Sequence, residues 1–253
     1  MVKQIRDFII TILIVTFVFA FDDKSKLFQL GDWLGNFVRV SASVALVVLV
    51  HYFGHKWVAR KYGADVVHKI WTIKRYGWSK RAHFPLKLHF MNLTIIPINS
   101  FPLGGVLAVI VSFLSNGRLY FTPVEAIDIK CDEHKRVGRW RIKVLERECA
   151  RIALAGPTAN ILLALVLQSF NQSGMFDQLI WISCLYGLYH MIPVSELDGS
   201  KIFFGSQYLY VFGLAFLLSA FLLVMLISPG TAFFISVLIA LGIFGFFFIK
   251  TAN

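Results

Sequence analysis

Ser41-Ala42-Ser43-Val44-Ala45-Leu46-Val47-Val48-Leu49-Val50-His51-Tyr52-Phe53-Gly54-His55 is the stretch that decides how this chain is read. An apolar run ends in two histidines spaced four residues apart. On a helix, residues i and i+4 share a face and lie roughly 6 Å apart. Two imidazoles so placed can hold one zinc ion. Polar side chains within bilayer-spanning sequence are costly and tend to mark function. Tyr52, between the two histidines, carries a phenol rather than a carboxylate.

Outward from this stretch the chain stays apolar. Of its 253 residues, 57% are hydrophobic and only 15% charged, with a mean hydropathy of +0.70. Soluble domains carry about 25% charge. Several runs approach the roughly 20 residues that span a bilayer. They fall at 5–21, 36–58, 150–170 and 178–201, with two more in 202–249 divided by Ser228-Pro229-Gly230. The expected fold is an all-α polytopic membrane protein of about six transmembrane helices, a single integral membrane domain over 1–253. Phe8–Phe21 follows Lys3 and Arg6 and is followed by Asp22-Asp23-Lys24 rather than a small-x-small cleavage site, so an uncleaved first helix is expected. Cys131, Cys149 and Cys184 form no CxxC pair, which argues against a cysteine zinc site and a disulfide framework.

The net charge of +11 is concentrated in two segments. Residues 56–91 hold nine Lys and Arg, and residues 117–148 hold eight, whereas 171–177 holds none. Cytoplasmic loops of membrane proteins are rich in Lys and Arg, so the charge points to a lipid bilayer and not to nucleic acid. The expected location is the cell membrane, multi-pass, with both termini cytoplasmic. If 93–114 crossed once, the two basic segments would face opposite sides. Pro97, Pro102, Gly104 and Gly105 also break a simple helix there. A re-entrant element is expected, next to a short membrane-associated strand in Val66–Lys74, where β-branched, aromatic and basic residues mix.

A zinc hydrolase site needs three protein ligands and one open position. Acidic residues within apolar sequence are scarce, and Asp198 in Pro193-Val194-Ser195-Glu196-Leu197-Asp198-Gly199 is the obvious third ligand. Plainer roles stand beside these. His51 and His55 read equally as interfacial histidines, and Asp198 as a helix cap or an ion partner of Lys201. Glu196 reads first as a solvated residue at a cleft mouth and second as a substitute base. His190 reads first as a hydrogen-bonded interior histidine and second as a fourth ligand. Asn160 reads as a helix contact or as a binder of substrate backbone, since its amide both donates and accepts.

Four motifs carry a family resemblance. HYFGHKWVARKYG at His51–Gly63 is similar to the HExGH helix and following basic segment of the site-2 protease family of intramembrane zinc metalloproteases. FPLGG at Phe101–Gly105 resembles that family's PLGG loop, ALAGPTAN at Ala153–Asn160 its AGPxAN helix, and IPVSELDG at Ile192–Gly199 its motif ending in LDG. The motifs occur in family order and cover about 40–205, leaving 5–21 and 202–249 as extra helices. The last motif looks most like archaeal members.

The resemblance implies Zn2+ held by His51, His55 and Asp198, with Gly104, Gly105 and Asn160 toward substrate. It implies transmembrane segments of other proteins as substrates. Three positions depart from the pattern: Tyr52 replaces the general-base glutamate, His190 stands where asparagine is frequent, and Glu196 where proline is frequent. Losing a proton acceptor costs about 10²–10⁴-fold in rate, and a phenol of pKa near 10 is a poor base at neutral pH. The rival expectation is a non-catalytic pseudoprotease that binds transmembrane clients. A small transporter is a third reading, but no half-helix motifs recur in matched halves.

Overall fold

A computed structural model describes residues 2–22, 29–73, 86–90, 93–98, 100–131 and 143–252. Among these, the order of elements is α1 (Val2–Ala20), α2 (Leu30–Lys61), β1 (Ala64–Ile70), β2 (Leu86–Phe90), β3 (Leu93–Ile98), α3 (Leu103–Leu114), β4 (Glu125–Cys131), α4 (Glu146–Ser169), α5 (Asp177–His190), α6 (Asp198–Gly205), α7 (Gln207–Val224) and α8 (Pro229–Ala252). Helices dominate, and four of those described, α2, α4, α7 and α8, are long and apolar enough to cross a membrane.

The expected six spans are therefore corrected to four. α1 has 19 residues, but Lys3, Arg6 and Asp7 occupy its first two turns. The expected span at 178–201 is two helices. α5 ends at His190 after 14 residues, about 21 Å of helix, which falls short of a roughly 30 Å hydrocarbon core. Pro193, which lacks an N–H, lies in the break before α6.

The break is a built feature. Ser200 donates its hydroxyl to the carbonyls of Ser195, at 2.6 Å, and Leu197, at 2.8 Å. Trp71 donates its indole N–H to Ser195 Oγ at 3.1 Å. A Cβ at Gly199 would collide with the Met191 carbonyl and lie 2.6 Å from that of Ile192. Only glycine lets the chain fold back this tightly over the start of α6.

Residues 93–114 do not form one span. They divide into β3, paired antiparallel with β2, and the 12-residue α3. At about 18 Å, α3 is too short to cross. The strand expected in Val66–Lys74 is β1, shifted to Ala64–Ile70 and paired antiparallel with β4 from Ala64↔Cys131 to Ile70↔Glu125. Parts of both basic segments, at 74–85, 91–92 and 132–142, lie outside the described residues.

α2 packs against α1, α4, α5 and β1. The α2–α4 contact is very close. A Cβ at Gly54 would sit 2.7 Å from the Ala155 carbonyl oxygen and 2.8 Å from Ala159 Cβ. α7 and α8 pack as a pair on the far side of α4 and expose large apolar residues such as Phe234, Leu238 and Phe246. Gly54→Ala is expected to force α2 and α4 apart and to cost about 1–3 kcal/mol, the usual range for overpacking. Thermal unfolding in detergent micelles checks this; an unchanged midpoint would refute the close contact.

Candidate metal centre

Two helices bring three buried side chains to one point. α2 supplies His51 and His55, and the first residue of α6 supplies Asp198. Asp198 Oδ2 lies 3.1 Å from His51 Nε2 and 3.2 Å from His55 Nε2. None of the three is more than 1% exposed. Tetrahedral bonds of 2.0–2.1 Å give a ligand-to-ligand edge of about 3.3 Å, close to both separations. The placement of Asp198 at a helix N-terminus also favours its negative charge.

α4 supplies the wall and the outer support. A Cβ at Gly156 would collide with His55 Nε2 and lie 2.8 Å from His51 Nε2. The absence of a side chain there is what leaves room between the two rings. Asn160, one helical turn on, places Nδ2 3.1 Å from His51 Nδ1. His55 Nδ1 donates to the Ile152 carbonyl at 2.7 Å. These contacts fix the rotation of both rings, as outer-sphere hydrogen bonds do around metal-binding histidines.

The donor set fits a cation. With Nδ1 of neutral His55 donating to Ile152, its Nε2 carries a lone pair. That lone pair faces a carboxylate oxygen at 3.2 Å, and His55 Nε2 has no hydrogen-bond partner. Asp198 Oδ1 is also unpartnered and buried. Two acceptors cannot satisfy each other, but a metal ion satisfies both at once. His51, His55 and Asp198 can thus hold a metal ion.

A fourth buried group stands beside this set. Glu125, the first residue of β4, is 1% exposed. Its Oε2 pairs with His68 Nδ1 at 2.6 Å, while Oε1 lies 4.0 Å from His51 Nε2 and 3.9 Å from His190 Nε2. His68 comes from β1, two residues before Ile70, the register partner of Glu125, with its ring stacked on Phe8 at 3.9 Å and its Nε2 3.2 Å from Thr11 Oγ1. Burial pushes the Glu125 carboxyl upward, but the His68 imidazolium outweighs it and holds the carboxyl down at about 2. Burial likewise lowers His68, and the Glu125 charge more than reverses this, raising it.

The remaining sequence candidates are dispersed. Tyr52 is buried, and its hydroxyl donates to the Val66 carbonyl of β1 at 3.2 Å and accepts from Lys56 Nζ at 3.3 Å. It faces the sheet instead of the imidazole nitrogens. Glu196 is half-exposed and paired with Lys69 at 2.8 Å. Gly104 and Gly105 are buried packing positions. A Cβ at Gly104 would meet the Pro123 carbonyl and Trp71, and one at Gly105 would lie 2.9 Å from Ile14 Cδ1. His190 is buried beside His51, with its Nδ1 donating to the Tyr186 carbonyl at 2.8 Å.

Glu125 escaped the sequence reading, and His68, whose place in a basic segment predicts a solvated side chain, is instead buried on β1. The available signal was an acidic residue following the apolar Phe121–Val124 stretch, where Thr122-Pro123-Val124-Glu125-Ala126-Ile127 carries one carboxylate among small and apolar neighbours. No family model, no curated protein and no solved structure matches the chain.

Gly156→Ala is expected to lower metal affinity at least about tenfold, because its methyl group fills the space between the imidazoles. Tyr52→Phe is expected to keep the metal and lose only the bond to Val66, about 1 kcal/mol of stability. Metal analysis and thermal unfolding of the two variants provide the check. Full metal retention in Gly156→Ala would place the ion elsewhere.

Proposed function

We propose that this chain is a membrane-embedded zinc peptidase of site-2 protease type, hydrolysing peptide bonds within transmembrane segments of other proteins. The observation that carries the reading is the convergence of His51, His55 and Asp198 at a buried point lined by Gly156. Two imidazoles and one carboxylate, with room for a fourth partner, are the donor set of catalytic zinc centres. Zinc bound there supplies Lewis acidity toward a carbonyl oxygen and acidifies water near neutral pH.

The residues divide the remaining work. Asn160 and the Ile152 carbonyl keep the imidazoles in fixed rotamers. Burial of the whole cluster excludes bulk water and strengthens its electrostatics. A largely apolar cavity of about 280 Å³, lined by Trp57, Val58, Leu154, Leu162 and Leu209 with Arg151 at its edge, lies along the α2–α4 contact. Its lining suits a hydrophobic segment. A helical substrate must unwind before its peptide bond is accessible, because its backbone groups are paired internally.

The second reading, a non-catalytic protein that binds transmembrane clients, is favoured by Tyr52. Its hydroxyl is committed to Val66, so α2 itself offers no base. Purified protein separates the two. The expected result is one zinc per chain and cleavage of a single-span model substrate in vesicles, with His55→Ala lowering metal affinity by more than about tenfold. Zinc without cleavage supports the client-binding reading, and wild-type protein that takes up no divalent metal sinks both the peptidase and its zinc.

The orientation we propose puts the basic segments 56–91 and 117–148, and both termini, on the cytoplasmic side, following their Lys and Arg content. Cys131, exposed at the end of β4, reports on it. In a variant retaining only Cys131, a membrane-impermeant maleimide is expected to label inside-out vesicles and to spare intact cells. Labelling of intact cells would reverse the assignment.

A further inference from the structure

Peptide hydrolysis needs a proton acceptor, and the helix that carries His51 and His55 provides none. Tyr52 is turned to Val66. Glu196, two residues before Asp198, is held outward by Lys69 at 2.8 Å. Glu125 is the remaining carboxylate beside the imidazoles among the described residues, and it arrives from β4.

Its two oxygens have different surroundings. Oε2 is taken by His68 at 2.6 Å. Oε1 faces His51 Nε2 at 4.0 Å and His190 Nε2 at 3.9 Å, both too long for a hydrogen bond. His190 donates its Nδ1 proton to Tyr186, so in the neutral ring Nε2 is an acceptor. That Nε2 is buried and unpartnered, and the nearby Tyr186 hydroxyl is a buried donor beside Glu125. Oε1 and His190 Nε2 stand 3.9 Å apart, a separation that one water donating a hydrogen to each would bridge. His51 Nε2 lies 4.0 Å from the same oxygen, and His51, Glu125 and His190 together form a second group able to hold an ion.

We infer that Glu125 is the catalytic proton acceptor of this centre, held by His68 and presented from the sheet in place of a carboxylate on the histidine helix. The inference rests on the peptidase reading above. In the reaction, Glu125 takes one proton from water as the water oxygen bonds to the scissile carbonyl carbon. It passes that proton to the amide nitrogen as the C–N bond breaks. The products are a carboxylic acid and an amine, and Glu125 ends as the carboxylate it began as. His68 lies against Oε2 at 2.6 Å, which leaves Oε1 on the side of His51 and His190.

The test uses the full chain in detergent, loaded with zinc or cobalt(II), and reads three quantities: metal per chain, affinity for a peptide hydroxamate, and turnover. A hydroxamic acid gives up its proton as it chelates a metal, so its affinity reports a nearby acceptor without requiring catalysis. Glu125→Gln is expected to keep one metal per chain, to bind the hydroxamate at least about tenfold more weakly, and to lower turnover by about 10²–10⁴-fold. Glu125→Asp keeps a charge for His68 and guards against misfolding of the amide variant. It should retain the metal and lose about tenfold in both other readouts, because the shorter side chain withdraws Oε1. Loss of the metal in the Glu125→Gln or Glu125→Asp protein would make Glu125 a ligand and overturn the inference. Metal-loaded variants with wild-type hydroxamate affinity and turnover would overturn it while leaving the peptidase reading intact. Wild-type protein that binds no metal would overturn both.

Discussion

Asp198 is a carboxylate sealed among helices, and the rest of the site depends on how its charge is met. A buried charge without a partner is too costly to keep, and removing one partner of a buried pair costs about 3–5 kcal/mol. Here two imidazoles on one face of α2 approach the same oxygen, an arrangement in which a metal ion would meet the charge. Their rings are set by Asn160 and by the Ile152 carbonyl of α4, so the charge ties α2, α4 and α6 into one unit. Glycines make this geometry attainable: Gly54 lets the two long helices touch, and Gly156 leaves the space between the rings.

The interruption between α5 and α6 follows from the same need. An uninterrupted helix through 191–197 would not bring a helix N-terminus to the imidazoles. Stopping α5 at His190 and restarting at Asp198 places both residues beside His51, one at each edge of the break. Irregular backbone within apolar sequence is tolerated where protein buries it and its polar groups are paired. Ser200, Ser195 and Trp71 provide that pairing here.

The small β1–β4 sheet contributes chemistry as well as structure. Its pairing puts Glu125 and His68 at one end, and their ion pair allows a carboxylate to stay charged in a buried place. The same sheet takes the Tyr52 hydroxyl through Val66. The phenol on the histidine helix and the carboxylate on the strand are thus parts of one arrangement. The helix supplies imidazoles able to hold a metal ion and a packing contact, and the strand supplies a second buried acid beside them.

The sequence by itself determined what local spacing and composition can determine. A spacing of four residues from His51 to His55 puts them on one face because the helical period is 3.6. The scarcity of acids in apolar sequence singled out Asp198, and the uncharged stretch from Ile202 to Ile249 marked α7 and α8, divided at Ser228–Gly230. Tertiary structure decided the rest. α5 is a half-length helix because of backbone interactions around Pro193 and Gly199 that no hydropathy window registers. Glu196 turns outward to Lys69, since two residues in a tight break reverse the direction of a side chain. Tyr52 faces β1, a matter of how the sheet docks on α2. Glu125 reaches His51 from 74 positions along the chain, through antiparallel pairing with β1; burial and partners at that distance are set by packing, which a local reading of residues does not contain.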